Sequence, residues 1–106
     1  MKKGERIAEL RYRRGLSQTE LAEKIGASKQ TMYKYENDIV TNIPSDMVEK
    51  IADALNTTPA YIMGWSTEPS REEMALQRII AYYKDFSEIQ KAKLMSYAEG
   101  LAEKGA

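Results

Sequence analysis

The chain has 106 residues, of which 42% are hydrophobic, and it carries 16 basic and 16 acidic residues. This length and composition indicate one globular domain with a small appendage rather than a disordered chain. Cysteine and histidine are absent, which excludes disulfides, thiolate or imidazole metal sites, and catalysis by Cys or His, so we expect no metal and no cofactor.

The charges are distributed unevenly although their sum is zero. Residues 1–36 contain nine basic and five acidic residues, so they carry +4 and residues 37–106 carry −4. This asymmetry favours an anionic partner for the N-terminal part of the chain. The N-terminus MKKGERIAEL is charged and lacks the apolar region of a signal peptide, and no later stretch approaches the roughly 18 apolar residues of a membrane span. We therefore expect a soluble, cytoplasmic protein that does not contact a membrane.

Helical periodicity predicts three helices in the first part of the chain. The first helix is predicted from Lys3 to Arg14. Ser17 begins the capping-box pattern S-x-x-E, so a second helix should start at Gln18. Gly26 suits the left-handed position after that helix, and Ser28 can cap a third helix that runs to about Asn37. The apolar residues of these helices that should face the core are Ile7, Leu10, Leu21, Ala22, Ile25, Met32 and Tyr35.

Two further helices complete the predicted N-terminal domain. Pro44-Ser45-Asp46 opens a fourth helix, whose apolar residues Val48, Ile51, Ala52 and Leu55 follow the spacing i, i+3, i+4, i+7. Thr58-Pro59 supplies a cap and a first-turn proline for a short fifth helix, which Gly64 ends. Five helices with short connections predict a compact all-α domain over residues 1–65.

The rest of the chain is predicted to be a connector and a helical hairpin. Residues 66–70 lie within the turn-rich stretch WSTEPS, and residues 71–106 form the hairpin. Ser70 and Ser87 each begin a capping-box pattern, and the sequence around Asp85 separates the two helices. The apolar stripes are Leu76, Ile79, Ile80 and Tyr83 in the sixth helix and Leu94, Ala98, Leu101 and Ala102 in the seventh. These stripes must be buried against each other, against the first domain or against a second subunit.

The third helix has two chemically different faces. At about 100° per residue, Met32 and Tyr35 lie on the inner side, and four hydrogen-bond donors lie within an arc of about 140° on the opposite side. These four are Lys29, Gln30, Tyr33 and Lys34, none of which is acidic. The alternative is an ordinary solvated face, but the turn pattern before the helix favours a binding surface.

The segments LSQTELAEKIG, ASKQTMYKYEN and IADALNTTPAYIMG occur in an order that identifies a family. Residues 3–65 resemble a helix-turn-helix domain of the lambda-repressor-like family (XRE, Cro/CI type). YENDIVTNIPSD followed by AYIMGW is similar to phage-type repressors of Gram-positive bacteria. The resemblance implies an all-α, five-helix lambda-repressor-like DNA-binding domain, followed here by the C-terminal helical hairpin.

The resemblance implies that the third helix enters the major groove of double-stranded DNA and that its N-terminal residues read base edges. Gln30 is positioned like the family glutamine that pairs with a base, and Lys29 and Lys34 occupy neighbouring base-contacting positions. Thr31 belongs to the same set. Tyr33 faces the DNA side, where it either contacts a phosphate or a thymine methyl group or is exposed without a role.

Phosphate contacts follow from the same resemblance. Gln18, at a helix N-terminus, and Asn37, just after the recognition helix, correspond to phosphate-binding positions. Thr41 and Asn42 are further phosphate ligands, in a loop longer than that of the best-known phage repressors. Lys2, Lys3 and Arg6 either contact phosphate or are simply solvated, and they stay outside the predicted site.

Arg11 and Glu36 match a family pair that forms an internal ion pair between the first helix and the end of the recognition helix. The alternative for Arg11 is a direct contact to phosphate. If the pair is buried, the loss of one partner should strongly destabilise the fold.

These features predict a sequence-specific regulator of transcription, most simply a repressor that binds a palindromic operator as a homodimer through the C-terminal hairpin. The alternative is an antitoxin-type interaction module that also regulates its own promoter, with a toxin or an anti-repressor bound at the hairpin. Catalysis is not expected, because a Ser87–Lys91 dyad fits a helix cap and a solvated face better.

Overall fold

The computed structural model describes residues 1–104 and contains, over that range, seven helices and no strand. The chain divides into two compact units, residues 1–70 and residues 71–106. The first unit holds α1 (Lys3–Arg13), α2 (Gln18–Ile25), α3 (Lys29–Glu36), α4 (Ser45–Ala54) and α5 (Pro59–Met63), and the second holds α6 (Arg71–Lys84) and α7 (Glu88–Glu103). The predicted all-α class and the order of the helices are thus confirmed.

The core of the first unit is formed by the apolar faces of its five helices. α2 packs against α3 and α4, α1 packs against α3 and α5, and α4 packs against α5. Every predicted core residue of α1 to α4 is buried, and Ile43 and Ile62 join them. The buried apolar residues are Ile7, Leu10, Leu21, Ala22, Ile25, Met32, Tyr35, Ile43, Val48, Ile51, Ala52, Leu55 and Ile62.

The turn between α2 and α3 is set by local chemistry. Ser17 and Glu20 form the predicted capping box at the start of α2, with both hydrogen bonds at 3.0 Å. Gly26 ends the helix at φ 71°, a left-handed conformation that would strain a residue with a Cβ. Ser28 then caps α3 by accepting the backbone N–H of Thr31 at 3.1 Å. Because both helix ends are fixed, the angle between α2 and α3 is fixed with them.

α1 approaches the end of α3 at Gly4. A Cβ built on Gly4 would lie 2.7 Å from the carbonyl carbon of Glu36, which is closer than real contacts allow. The backbone N–H of Gly4 donates to the carboxylate of Asp38 at 3.1 Å. Asp38 adopts φ 56°, so a left-handed residue directly after α3 supplies an anionic cap to the N-terminus of α1.

Three arginines in or directly after α1 donate hydrogen bonds to backbone carbonyl groups of other segments. Arg6 donates to the carbonyl of Ile62 near the end of α5 at 3.1 Å. Arg14 donates to the carbonyl of Leu55 after α4 at 2.9 Å. Arg11 donates to the carbonyl of Leu16 at 2.9 Å. Arg6 and Arg14 thus satisfy carbonyl groups at the C-terminal ends of α5 and α4, and Arg11 satisfies one in the connection between α1 and α2.

The second unit is an open helical hairpin. Ser87 caps α7 in the predicted capping box with Gln90, and at the corner the rings of Tyr83 and Phe86 lie 6.4 Å apart. α6 and α7 make few contacts with each other, and neither helix has a buried residue. The predicted apolar stripe of α6 is therefore exposed along its length, by 39% at Tyr83 and by 55% at Leu76. None of the described helices is long and apolar enough to cross a bilayer.

Candidate nucleic-acid interface

The outer face of α3 presents the side chains that its helical periodicity predicts. Lys29, Gln30, Tyr33 and Lys34 are exposed, while Met32 and Tyr35 are buried on the opposite side, at 0% and 7% exposure. Within residues 1–104, the side chains of Lys29, Gln30 and Lys34 make no hydrogen bond and no ion pair. Their donors are therefore open to a ligand.

Five of the predicted site residues surround one open groove of about 390 Å³. Gln18 comes from the start of α2, and the other four come from α3. The lining residues are Gln18, Lys29, Gln30, Tyr33 and Lys34. The groove combines two ammonium groups, two amides and a phenol, and it has no acidic side chain. Such a set can donate hydrogen bonds to phosphate oxygens and to base edges.

A buried ion pair supports this face from behind. Arg11 donates from Nε to Oε2 of Glu36 at 2.7 Å and from Nη2 to Oε1 at 2.9 Å, and both side chains are less than a tenth exposed. The predicted internal pair is confirmed, and it occupies the guanidinium that would otherwise be offered to phosphate. The hydrogen bond with Glu36 is the main cause that raises the pKa of Arg11, with a smaller contribution from the phenol of Tyr12.

Gln18 is tied to the same pair. Its Nε2 donates to Oε1 of Glu36 at 3.2 Å, so the carboxylate accepts hydrogen bonds from both α1 and α2. This bond restricts the rotamers of Gln18 and fixes its remaining amide groups at the edge of the groove. A predicted ligand contact is thus oriented by a buried acid of α3.

The other four predicted site residues do not line the groove. The hydroxyl of Thr31 lies 2.9 Å from that of Ser28 within the cap of α3. The side-chain amide of Asn37 donates to the carbonyl of Tyr33 at 2.9 Å and closes the end of α3. Thr41 and Asn42 are exposed in the segment after α3. Their roles in binding stay predictions.

The segment that carries Thr41 and Asn42 is anchored to α1, a contact that no sequence pattern predicts. Lys3 donates from Nζ to the backbone carbonyl of Thr41 at 2.7 Å. Together with the bond between Gly4 and Asp38, this contact holds both ends of residues 38–41 against the start of α1. Lys3 therefore has a structural contact. Arg6 has one too, since it donates to the carbonyl of Ile62 in α5.

Tyr12, near the end of α1, is a further exposed side chain beside this face that no sequence pattern predicts. Its side chain is 74% exposed, and the guanidinium carbon of Arg11 lies 4.5 Å from the centre of its ring. Tyr12 lines a second open groove, of about 630 Å³, together with Gln18, Lys29 and Tyr33 of the first groove. A single exposed aromatic residue does not alter the hydrophobic periodicity of a helix. The position of Tyr12 beside the groove is therefore apparent only from the fold.

Two other kinds of site, a metal site and a Ser–Lys catalytic pair, were compared with the described residues. They contain no group of three or more acidic side chains that could hold a metal ion. Ser87 accepts the backbone N–H of Gln90 as a helix cap. Lys91 lies 3.7 Å from the carboxylate of Glu88 and 5.1 Å from the ring centre of Tyr83. The predicted cap at Ser87 is confirmed, whereas Lys91 is partly buried between Glu88 and Tyr83 rather than on a fully solvated face.

A short turn between the packed helices α2 and α3 inside a five-helix unit, with an open donor-rich face on α3, defines a helix-turn-helix DNA-binding domain of the lambda-repressor-like type. The family model of the helix-turn-helix family HTH_3 matches residues 7–62. The chain belongs to this family, of the XRE, Cro/CI type, and is a DNA-binding transcriptional regulator. The family is a class of regulators rather than of enzymes.

The solved structures that are similar to this chain include two of SinR and one of a phage repressor. The biofilm master regulator SinR in complex with DNA is 32% identical, with a TM-score of 0.55, and the match covers 57% of this chain and 95% of that one. The SinR/SinI protein complex matches at 27% identity and a TM-score of 0.57, over 94% of this chain and 97% of that one. The P22 c2 repressor bound to a synthetic operator shares the fold at 23% identity and a TM-score of 0.58, over 62% of this chain and 98% of that one. A search of curated proteins found no match.

Proposed function

We propose that this chain is a sequence-specific repressor that reads operator DNA with the outer face of α3. The proposal is carried by one observation, the groove in which Gln30 and Lys34 lie beside Lys29 and Gln18 without an acidic neighbour. Glutamine can bond N6 and N7 of adenine together, and lysine can reach O6 and N7 of guanine. The likeness to SinR, which was solved in complex with DNA at 32% identity, supports the assignment. Its place of action is the cytoplasm, where operator DNA is found.

The same proposal makes the protein a homodimer on a palindromic operator. One domain of this size covers one half-site, and the free energy of binding two half-sites together requires that two copies be joined. The α6–α7 segment supplies an unburied apolar surface for this contact, with Leu76, Ile79 and Ile80 at 40% to 55% exposure. A second copy that covers this stripe would remove apolar surface from water and bring two recognition helices onto one face of the DNA.

Selection of DNA from a random pool by the purified full chain tests both parts of the proposal. We expect an inverted repeat with half-sites about 34 Å, or one helical turn, apart. The mass of the complex, measured in solution, should correspond to two chains on one duplex. Enrichment of no sequence would contradict base reading. Enrichment of a single unrepeated half-site bound by one chain would contradict the dimer alone.

A second candidate function assigns the exposed stripe of α6–α7 to a different protein, as in an antitoxin or an anti-repressor target. The observation that favours it is the match to the SinR/SinI protein complex, which covers 94% of this chain at 27% identity. The two candidates predict different oligomeric states for the isolated chain, since a homodimer should form at micromolar concentration without another protein. Sedimentation of the purified chain as a monomer, together with a toxin gene beside its own, would favour the second candidate.

A further inference from the structure

We infer that Tyr12 is a DNA-binding residue, which donates its phenolic hydroxyl to the sugar-phosphate backbone beside the bases that α3 reads. This inference rests on the proposed function and extends its interface from α2 and α3 to α1. Tyr12 lies in the last turn of α1 and is 74% exposed. It belongs to none of the predicted contact positions, and burial in the core does not explain it.

The position of the Tyr12 ring is fixed by the buried ion pair. The Arg11 guanidinium carbon is 4.5 Å from the ring centre, and that guanidinium is itself held by Glu36 and by the carbonyl of Leu16. The ring is therefore placed by a contact between a cation and its face, although most of it is open to solvent. A side chain that is exposed and already oriented loses little conformational entropy when a ligand binds.

The arrangement of the two grooves indicates which part of the DNA Tyr12 meets. Gln18, Lys29 and Tyr33 line both grooves, so the two form one continuous surface. Gln30 and Lys34 line only the first groove, and Tyr12 lines only the second. If the first groove faces the bases, the second lies to its side, where the duplex presents its backbone.

The chemistry of the second groove suits a phosphate group. Its lining includes the hydroxyl groups of Ser17 and Thr19 and the ammonium group of Lys29, all of which can donate hydrogen bonds. Its one acidic side chain, Glu20, is directed to the backbone N–H of Ser17 at 3.0 Å in the capping box. Phosphate oxygens accept hydrogen bonds from tyrosine, and such contacts fix the register of a protein on the duplex without reading sequence.

The substitution Tyr12→Phe tests the inference, because it removes the hydroxyl and keeps the ring against Arg11. Affinity should fall about 10- to 100-fold, because the hydrogen bond that is lost has an ionised phosphate as its acceptor. The loss should be the same on the selected operator and on unrelated DNA of equal length. The slope of log affinity against log salt should not change, because a neutral hydroxyl releases no counterion. Tyr82→Phe, at a 66% exposed position off the stripe of α6, is the matched control and should bind as the wild type does.

Phosphate ethylation interference then locates the contact. One phosphate outside the bases read by α3 should interfere with the wild-type chain and lose its effect with the Tyr12→Phe variant. Unchanged affinity of Tyr12→Phe, or a change in base preference in place of the uniform loss, would overturn the inference. In either case the proposed function would stand as long as the wild-type chain still selects one operator sequence.

Discussion

At the residue scale, Glu36 contributes both to the stability of the fold and to the geometry of the candidate DNA-binding groove. Its carboxylate accepts two hydrogen bonds from Arg11 and one from Gln18, at 2.7, 2.9 and 3.2 Å. One buried side chain of α3 is thus bonded to α1 and to α2. The acid stabilises the fold and also orients an amide at the edge of the groove.

Glu36→Ala should be strongly destabilising. The change leaves the guanidinium of Arg11 buried without its counter-charge, which typically costs about 3–5 kcal/mol. Chemical denaturation should show a lower midpoint for this variant, and a thermal melt should show a large fall in Tm. Glu23→Ala, at an exposed position of α2, is the control and should melt within a degree or two of the wild type. Equal melting of the two variants would mean that the pair contributes nothing to stability.

Gln30→Ala should act on DNA recognition and leave the fold unchanged. The side chain is exposed, and the loss of a bidentate contact to a base costs about 1–3 kcal/mol. A mobility-shift titration on the selected operator should show this loss together with relaxed preference at one base pair. Gln77→Ala, at an exposed position of α6, should leave both quantities unchanged. Unchanged affinity and base preference in the Gln30→Ala variant would contradict the proposal that α3 lies in the major groove.

At the scale of helices, the sequence predicts what local chemistry determines. Ser17, Gly26 and Thr58 act through neighbours three or four residues away, and the structure confirms each of them as a cap. Arg6 and Arg14 act across 56 and 41 residues, and no local pattern distinguishes an arginine that caps a distant helix from a solvated one. The anchoring of residues 38–41 escapes prediction for the same reason, since it depends on the left-handed Asp38 and on the approach of α1.

Gly4→Ala should separate α1 from α3. The added methyl group would meet backbone atoms of Tyr35 and Glu36, which cannot rotate away as a flexible side chain can. Overpacking of this kind costs about 1–3 kcal/mol, and α3 should move with its DNA-facing side chains. Gly100→Ala in α7 is the matched control, because nothing lies within 4 Å of its added Cβ, and it should gain up to about 1 kcal/mol from helix propensity. Denaturation of both variants and titration with operator measure these effects, and equal stability would show that α1 can shift without cost.

At the scale of the whole molecule, the two units differ in how they use apolar residues. The first unit buries thirteen of them in one core, whereas α6 and α7 bury none in the described chain. The sequence predicts that the stripe of α6 needs a cover, because its periodicity is that of an amphipathic helix. The sequence does not predict which partner buries the stripe, since a second copy of this chain and a different protein could both pack against the same apolar face.

Ile79→Glu should separate the proposed homodimer into monomers. The residue is 52% exposed on the stripe of α6, and a charge there opposes burial against a second copy. Operator affinity should fall about 100-fold or more as the two half-sites lose their linkage, while the circular dichroism of the chain changes little. Ala81→Glu adds the same charge on the opposite side of α6 and should stay dimeric in sedimentation experiments. Dimers of unchanged stability in Ile79→Glu would place the subunit contact elsewhere.

The open donors of α3 have an evolutionary consequence. Within residues 1–104 the side chains of Lys29, Gln30 and Lys34 are exposed and make no hydrogen bond or ion pair, whereas Met32, Tyr35 and Glu36 of the same helix are buried in the fold. Mutation can therefore exchange the first three side chains at little cost in folding, and under the proposed function each exchange would alter which genes the regulator controls. Such a scaffold is well suited to rapid divergence of targets, and to laboratory retargeting in which three codons are randomised and every other position is kept.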